Sequence, residues 1–207
     1  MKLARVLLLS SMAAGLIAQT PTWDTSGNGM LNGTYYFRHV TYQLSNAGDG
    51  TLYYTFALYG TVTFNGTGTY TMSVTLAEGQ AQGQLQRGTV NGTYSIAASG
   101  QGFLSNPLFP GSSSVPGDSI YGLVNAQGIF VGSSTENLNG YNDVFIAAPL
   151  GSTVPTASAF KGSYSLAYMD LSSGNPVYTV GGMLQMNPDG AGNVGTVGVA
   201  AYVGQNG

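Results

Sequence analysis

The sequence contains one histidine, His39, and this sets the first limit on its chemistry. A Ser-His-Asp relay would have to use it, and no histidine-rich metal site can be built around it. It lies in Tyr35-Tyr36-Phe37-Arg38-His39-Val40, where aromatics occupy both alternating faces, so its own face is undecided. No Gly-x-Ser-x-Gly elbow occurs. General-base work needs a nucleophile within reach, and no spacing identifies one. The expectation is a structural or surface histidine and no catalytic residue. The eight acids, Asp24, Asp49, Glu78, Asp118, Glu136, Asp143, Asp170 and Asp189, stand singly, mostly in or beside turns. A glycosidase needs two carboxyls roughly 5–9.5 Å apart across a sugar; a fold could assemble such a pair, but no spacing announces it. Loop solvation is the expected role of each acid.

Asn46-Ala47-Gly48-Asp49-Gly50 and Asn187-Pro188-Asp189-Gly190-Ala191-Gly192-Asn193 have the look of calcium loops, but each offers a single acid. Calcium takes six to eight oxygens, several of them carboxylate. Turn chemistry explains both, so neither a metal nor a cofactor is expected. The sequons at Asn32, Asn65 and Asn91 also read as turn or strand-entry signals, because Asn-Gly suits tight reversals. Tyrosine is the remaining chemistry-bearing type. Fourteen are present, dense in the first two thirds, and a hydroxylated ring can stack on a sugar or line a ligand cavity. Tyr35, Tyr54, Tyr59 and Tyr94 are the candidate ligand-binding residues, set against the high strand propensity of tyrosine, which by itself accounts for their number.

The elements that position these groups must be strands. Charged residues make up 6% of the chain, glycine contributes 32 positions, and Thr, Val, Tyr and Phe outweigh the helix formers Glu and Lys. Cysteine is absent, which removes disulfide staples, zinc-thiolate sites and thiol catalysis. The first residues read as a signal peptide: Lys2 and Arg5, then the apolar run 6–18, then a polar segment from Gln19. Cleavage after Ala18 is preferred, with Gly15 as the alternative. The run is shorter than the roughly 20 residues of a membrane span. The expected location is therefore secreted, periplasmic or at the cell surface. Without the signal, Arg38, Arg87 and Lys161 face eight acids, so nothing basic remains to neutralise phosphates and nucleic acid is not a partner.

Strands announce themselves by alternation. Tyr54, Phe56, Leu58, Val62 and Phe64 share one face, and the turn Asn65-Gly66-Thr67-Gly68 returns the chain into Tyr70, Met72, Val74 and Leu76. These nine form the predicted core of the hairpin; Thr61, Thr63, Thr71, Ser73 and Thr75 face out. Further strands over 34–42, 89–98, 102–108, 119–124, 128–134 and 143–148 make about eight, enough for a small antiparallel meander that closes into a barrel or strongly curled sheet. The division is a signal peptide over 1–18, a linker over 19–30, a barrel-like module over 31–148, a linker over 149–159 and a partial second module over 160–207. The second module rests on an echo: Phe160-Lys161-Gly162-Ser163-Tyr164 matches Leu31-Asn32-Gly33-Thr34-Tyr35 at a spacing of 129, and Gly182 to Asn193 matches Gly60 to Gly68 with a longer turn. Its strands are expected around 160–170, 178–186 and 194–203, with an apolar face poorly covered or packed on the first module. The chain is expected to be a fragment of a longer precursor or a truncated gene product.

Gly-Thr-Tyr-x-Phe opening a strand, Gly-x-Val-x-Phe leading into Asn-Gly, and Gly92-Thr93-Tyr94-Ser95-Ile96 running to Gly100-Gln101-Gly102-Phe103 together resemble a group of uncharacterised exported β-repeat proteins of environmental bacteria. The resemblance implies a bacterial surface or periplasmic setting and a lipocalin-like meander, and implies no catalytic residues. The leading expectation is an exported, non-catalytic β module with a binding or structural role. A lipocalin-like carrier of a small apolar or sugar ligand is the alternative, favoured by an aromatic-lined cavity and removed by a packed interior. An outer-membrane barrel and a secreted hydrolase are further alternatives.

Overall fold

Local turn chemistry shows how this sequence folds. The Asn65 carboxamide oxygen accepts the backbone N–H groups of Thr67, Gly68 and Thr69, while Gly66 and Gly68 take φ of 78° and 118°. Glycine adopts such values without the steric cost other residues meet. The alternating segments on either side are thereby brought into register, with Phe64 opposite Tyr70 and Val62 opposite Met72. The structure, a computed structural model, describes residues 24–44, 52–79, 84–109, 118–134, 141–153, 155–171 and 179–204. The signal segment, the loop 46–50, Glu136 and Tyr178 lie outside the described residues.

Eight strands follow one another: β1 (Asn32–Leu44), β2 (Leu52–Asn65), β3 (Thr69–Glu78), β4 (Leu85–Ile96), β5 (Gln101–Ser105), β6 (Ser119–Val124), β7 (Phe130–Ser133) and β8 (Tyr141–Pro149). Each pairs antiparallel with the next, and β8 pairs with β1, so the expected barrel closes. Closure removes the unpaired edges that an open sheet would leave. Three tight reversals, 65–69, 97–100 and 125–129, lie at one end. The connections at the other end, from β1 to β2, β3 to β4, β5 to β6 and β7 to β8, are longer and fall partly outside the described residues.

The tight-turn end is plugged by a segment that composition assigns to a linker. Residues 24–31 enter through a 3₁₀ turn, Asn28–Met30, and seat Leu31 in the core. The buried Asn28 side chain accepts the Ile96 N–H at 2.7 Å, and the Gly27 N–H donates to the Ile96 carbonyl. The Tyr94 hydroxyl donates to the carbonyls of Leu31 and Asn28, at 2.9 and 3.2 Å. Asn28→Ala would leave a buried N–H without an acceptor, at a cost of about 1–3 kcal/mol. The urea midpoint is expected to fall accordingly at an unchanged slope; an unchanged midpoint would show that the plug adds nothing to the barrel.

The interior is filled from this end upward. Phe64 sits in a nest of Tyr35, Tyr94 and Tyr70, with ring centroids 5.0, 5.2 and 6.1 Å away. Burial pushes the Tyr70 hydroxyl up to about 12, against the opposing effect of its bond to Ser105. Above the nest, Phe37 stacks on Phe145, and Phe130 meets Phe145 edge-on. Glycine makes room for these rings: a Cβ at Gly92 would lie 2.2 Å from the Tyr70 ring. Of the predicted hairpin core, Leu58, Val62, Phe64, Tyr70, Met72 and Val74 are buried; Tyr54, Phe56 and Leu76, nearer the long-connection end, are half-buried. Thr63, Thr71 and Ser73 face solvent, whereas Thr61 and Thr75 are half-buried.

A separate three-stranded sheet follows, β9 (Tyr164–Leu171), β10 (Thr179–Met186) and β11 (Gly198–Gly204), with β10 in the centre. The turn after β10 reproduces the turn after β2. Asp189 Oδ1 accepts the N–H groups of Ala191 and Asn193, and Gly190 and Gly192 take φ of 76° and 105°. Asp189 bridges to Lys161 as Asn65 pairs with Asn32, and Gly162 shares the positive φ of Gly33. The matching position is therefore Asp189, two residues beyond the Asn187 that the sequence alignment pairs with Asn65. Leu166, on the face equivalent to that of the fully buried Phe37, is 45% exposed.

Candidate ligand site at the loop-bearing end

Alternation carries Tyr35 and Phe37 into the barrel, and two residues further along β1 the same rule brings in His39 and Thr41. Both are buried polar residues above an apolar floor. Closure of the barrel sets Thr41 opposite Asp143 and His39 opposite Phe145. The result is a short bond between the first strand and the last: His39 Nε2 lies 2.6 Å from Asp143 Oδ2, with both side chains fully buried. The imidazole also rests edge-on against Phe145, 5.6 Å between centroids.

Asp143 is saturated with donors. The Ser134 N–H reaches Oδ1 at 2.6 Å and the Ser133 hydroxyl donates to the same oxygen at 3.0 Å, while the Ser134 hydroxyl donates to Oδ2 at 2.7 Å. Burial alone would raise this carboxyl, but the bonds from His39 and Ser134 outweigh it and hold the group below its ordinary value of 3.8. The cluster extends across the barrel mouth. Asn106 Nδ2 makes longer contacts, 3.4 Å, to Ser134 Oγ and to Asp118 Oδ2, and the Ser119 N–H donates to Asp118 Oδ1. Strands β1, β6, β7 and β8 and the segment at Asn106 are thereby laced together across the barrel mouth.

Because the carboxylate needs a donor from the imidazole, the His39 Nε2 position carries the proton. Nδ1 is buried and has no hydrogen-bond partner. Thr41 Oγ1, at 3.4 Å, also approaches the Nε2 side. Ser134 and His39 thus share one acceptor and do not bond each other, so the hydroxyl is not lined up on a free imidazole nitrogen as a serine nucleophile would be. Next to this polar floor, Phe56 is paired across from Thr41, and the Tyr54 ring stacks on Phe56 at 5.7 Å. The chemistry concentrates here: a surface groove of about 390 Å³ at the plugged end, lined by Met30, Ser99, Val124, Asn125 and neighbours, carries no titratable side chain.

The structure separates the four candidate tyrosines. Tyr35 and Tyr94 are buried and tie down the plug through their hydroxyls, to Met30 and to Leu31. Tyr59 faces outward, its ring under the Arg38 guanidinium at 5.8 Å. Tyr54 lies towards the loop-bearing end, stacked on Phe56, which pairs across from Thr41. The expectation that each acid solvates a loop is corrected for Asp143 and Asp118, which are buried; it is met by Asp24 and Asp189, exposed acids lowered by bonds from Ser26 and Asn193. The filled interior below His39 counts against a carrier that holds its ligand deep in the barrel. Among the described residues no cluster of metal-binding side chains occurs, and no helix is long and apolar enough to cross a membrane, which leaves strands unaddressed.

A carboxyl whose folded pKa lies below its unfolded value adds stability that is complete above the unfolded value and is lost as pH falls through the folded one. Unfolding free energy is therefore expected to decline as pH drops below 3.8 because of Asp143. The same titration on Asp143→Asn should lack that component. Identical acid limbs in the two proteins would mean that the carboxylate is not held as described.

No family model matches this chain, and no curated protein or solved structure matches it either.

Proposed function

We propose that this chain is an exported, non-catalytic β module with a binding role at the cell envelope or outside the cell, and that it meets its ligand at the loop-bearing end of the barrel. One observation carries the reading: a buried imidazole nitrogen, His39 Nδ1, without a partner in an otherwise saturated polar cluster. An unsatisfied buried polar atom costs about 1–3 kcal/mol, so it is retained where something compensates, and a ligand hydrogen bond does so. The non-catalytic part rests on Ser134 and His39 sharing Asp143 rather than forming a nucleophile and base. Export rests on the amino-terminal pattern of Lys2, Arg5 and the apolar run 6–18. The matching turns at Asn65 and Asp189 support a tandem arrangement, with β9–β11 built on the plan of β1–β3.

Expression of the full chain in a bacterial host, with fractionation and amino-terminal sequencing, tests export. A product outside the cytoplasm that begins at Gln19 or Leu16 is expected, whereas cytoplasmic protein retaining Met1 would overturn it. Hydrolysis of ester or glycoside substrates that is lost in Ser134→Ala would overturn the non-catalytic reading.

A further inference from the structure

The outer wall of the barrel carries two aromatic rings beside the place where the amino-terminal segment arrives. Ser95, Phe103 and Tyr121 are neighbours in one cross-strand row over β4, β5 and β6. Alternation turns all three outward, because Ile96, Leu104 and Ile120, their neighbours in the chain, are buried in the core. The Phe103 and Tyr121 rings are half-buried, with centroids 6.0 Å apart. The plugging segment comes to this row from the barrel end. The Ala98 N–H donates to Ser26 Oγ at 2.9 Å, and further back along β4 the Ser95 hydroxyl donates to the Asp24 carbonyl at 3.0 Å. Followed backward from Ser26 to Asp24, the chain therefore runs along the outside of β4 and reaches the residue that pairs with Phe103.

The residue before Asp24 is Trp23, the sole tryptophan of the sequence. Consecutive Cα atoms are about 3.8 Å apart and directly paired residues on neighbouring strands about 4.5–5.5 Å, so an indole at position 23 reaches the Phe103 ring without further chain. Chemistry decides which side of Ser95 it takes. On the β3 side the outward residues are Thr69, Thr71, Asn91 and Thr93, all exposed and polar, whereas the β5–β6 side offers two rings. An indole is stabilised by leaving water and by offset or edge-on pairing with other aromatic rings. We infer that Trp23 lies against Phe103 and Tyr121, so that the residues leading into Asp24 form a strap on the outside of the barrel. The wall at β4 is then held from both sides, by Asn28 and Leu31 within and by Trp23 without.

A single tryptophan makes the test direct. Fluorescence emission and acrylamide quenching of the folded full chain are compared with those of the same protein unfolded in urea, over a range of protein concentrations. Blue-shifted emission and protection from acrylamide in the folded chain, the same at every concentration, are expected. Phe103→Ala, checked for folding by circular dichroism, should lower the ratio of docked to solvated Trp23 by up to roughly tenfold, the factor of one lost aromatic pair, and Tyr121→Ala should act in the same direction. Folded-state emission and quenching equal to those in urea would overturn the strap. Protection kept in full by both ring variants would overturn its placement against Phe103 and Tyr121. Protection that appears only as concentration rises would assign the contact to a second copy of the chain and overturn the intramolecular strap.

Discussion

Asp143→Ala is expected to lower the unfolding free energy by about 3 kcal/mol or more, because it strands several buried donors at about 1–3 kcal/mol each. The size follows from what the carboxylate holds. His39 Nε2, the Ser134 hydroxyl, the Ser134 N–H and the Ser133 hydroxyl all point at it, and the first three are buried. Removing it strands several donors at once, at the junction of β7, β8 and β1. Asp143→Asn keeps an acceptor and should cost less. Urea unfolding of the three proteins measures both steps, and a loss under about 1 kcal/mol for the alanine variant would mean that these donors are not buried against the carboxylate as described.

Phe64→Ala should cost a similar amount, about 3–5 kcal/mol, for a different reason. Phe64 is 1% exposed and touches three tyrosine rings, so truncation removes apolar burial and leaves a void that the stiff barrel wall cannot collapse into. The result bears on function. A barrel that carried its ligand in this region would tolerate the loss, because the phenyl group would border a space already open. Thermal or denaturant unfolding decides, and a cost below about 1 kcal/mol would reopen the deep-carrier reading.

The barrel was legible because its signals are local. Alternation across 54–64 and 70–76 and the Asn65 turn specify a hairpin without reference to anything distant, and repeated tight turns extend that to a meander. The site was not legible, because it is made by closure. His39 and Asp143 are 104 residues apart and meet only where the last strand pairs with the first. Their faces were also obscured. On β8 the outward residues Val144 and Ile146 are apolar, 50% and 44% exposed, so Asp143 looked like the polar edge of an apolar run. On β1 the adjacent aromatics Tyr36 and Phe37 hid the alternation that sends His39 inward. The plug was missed for a related reason. Asp24 to Gly29 is polar and short, and Asn28 becomes a core residue only because the β4 backbone offers the Ile96 N–H to its side chain.

The state of the His39 ring in the free protein tests the central claim, that closure of the barrel builds a buried polar site with one imidazole nitrogen left for a ligand. Long-range ¹H–¹⁵N spectra of this sole histidine, with solvent exchange of its ring protons, report it without any knowledge of the ligand. The expected result is a proton on Nε2 that is hydrogen-bonded, slow to exchange and lost as a distinct signal in Asp143→Ala. A ring that exchanges as fast as free histidine, or that carries its Asp143-bonded proton on Nδ1, would contradict the site as built here.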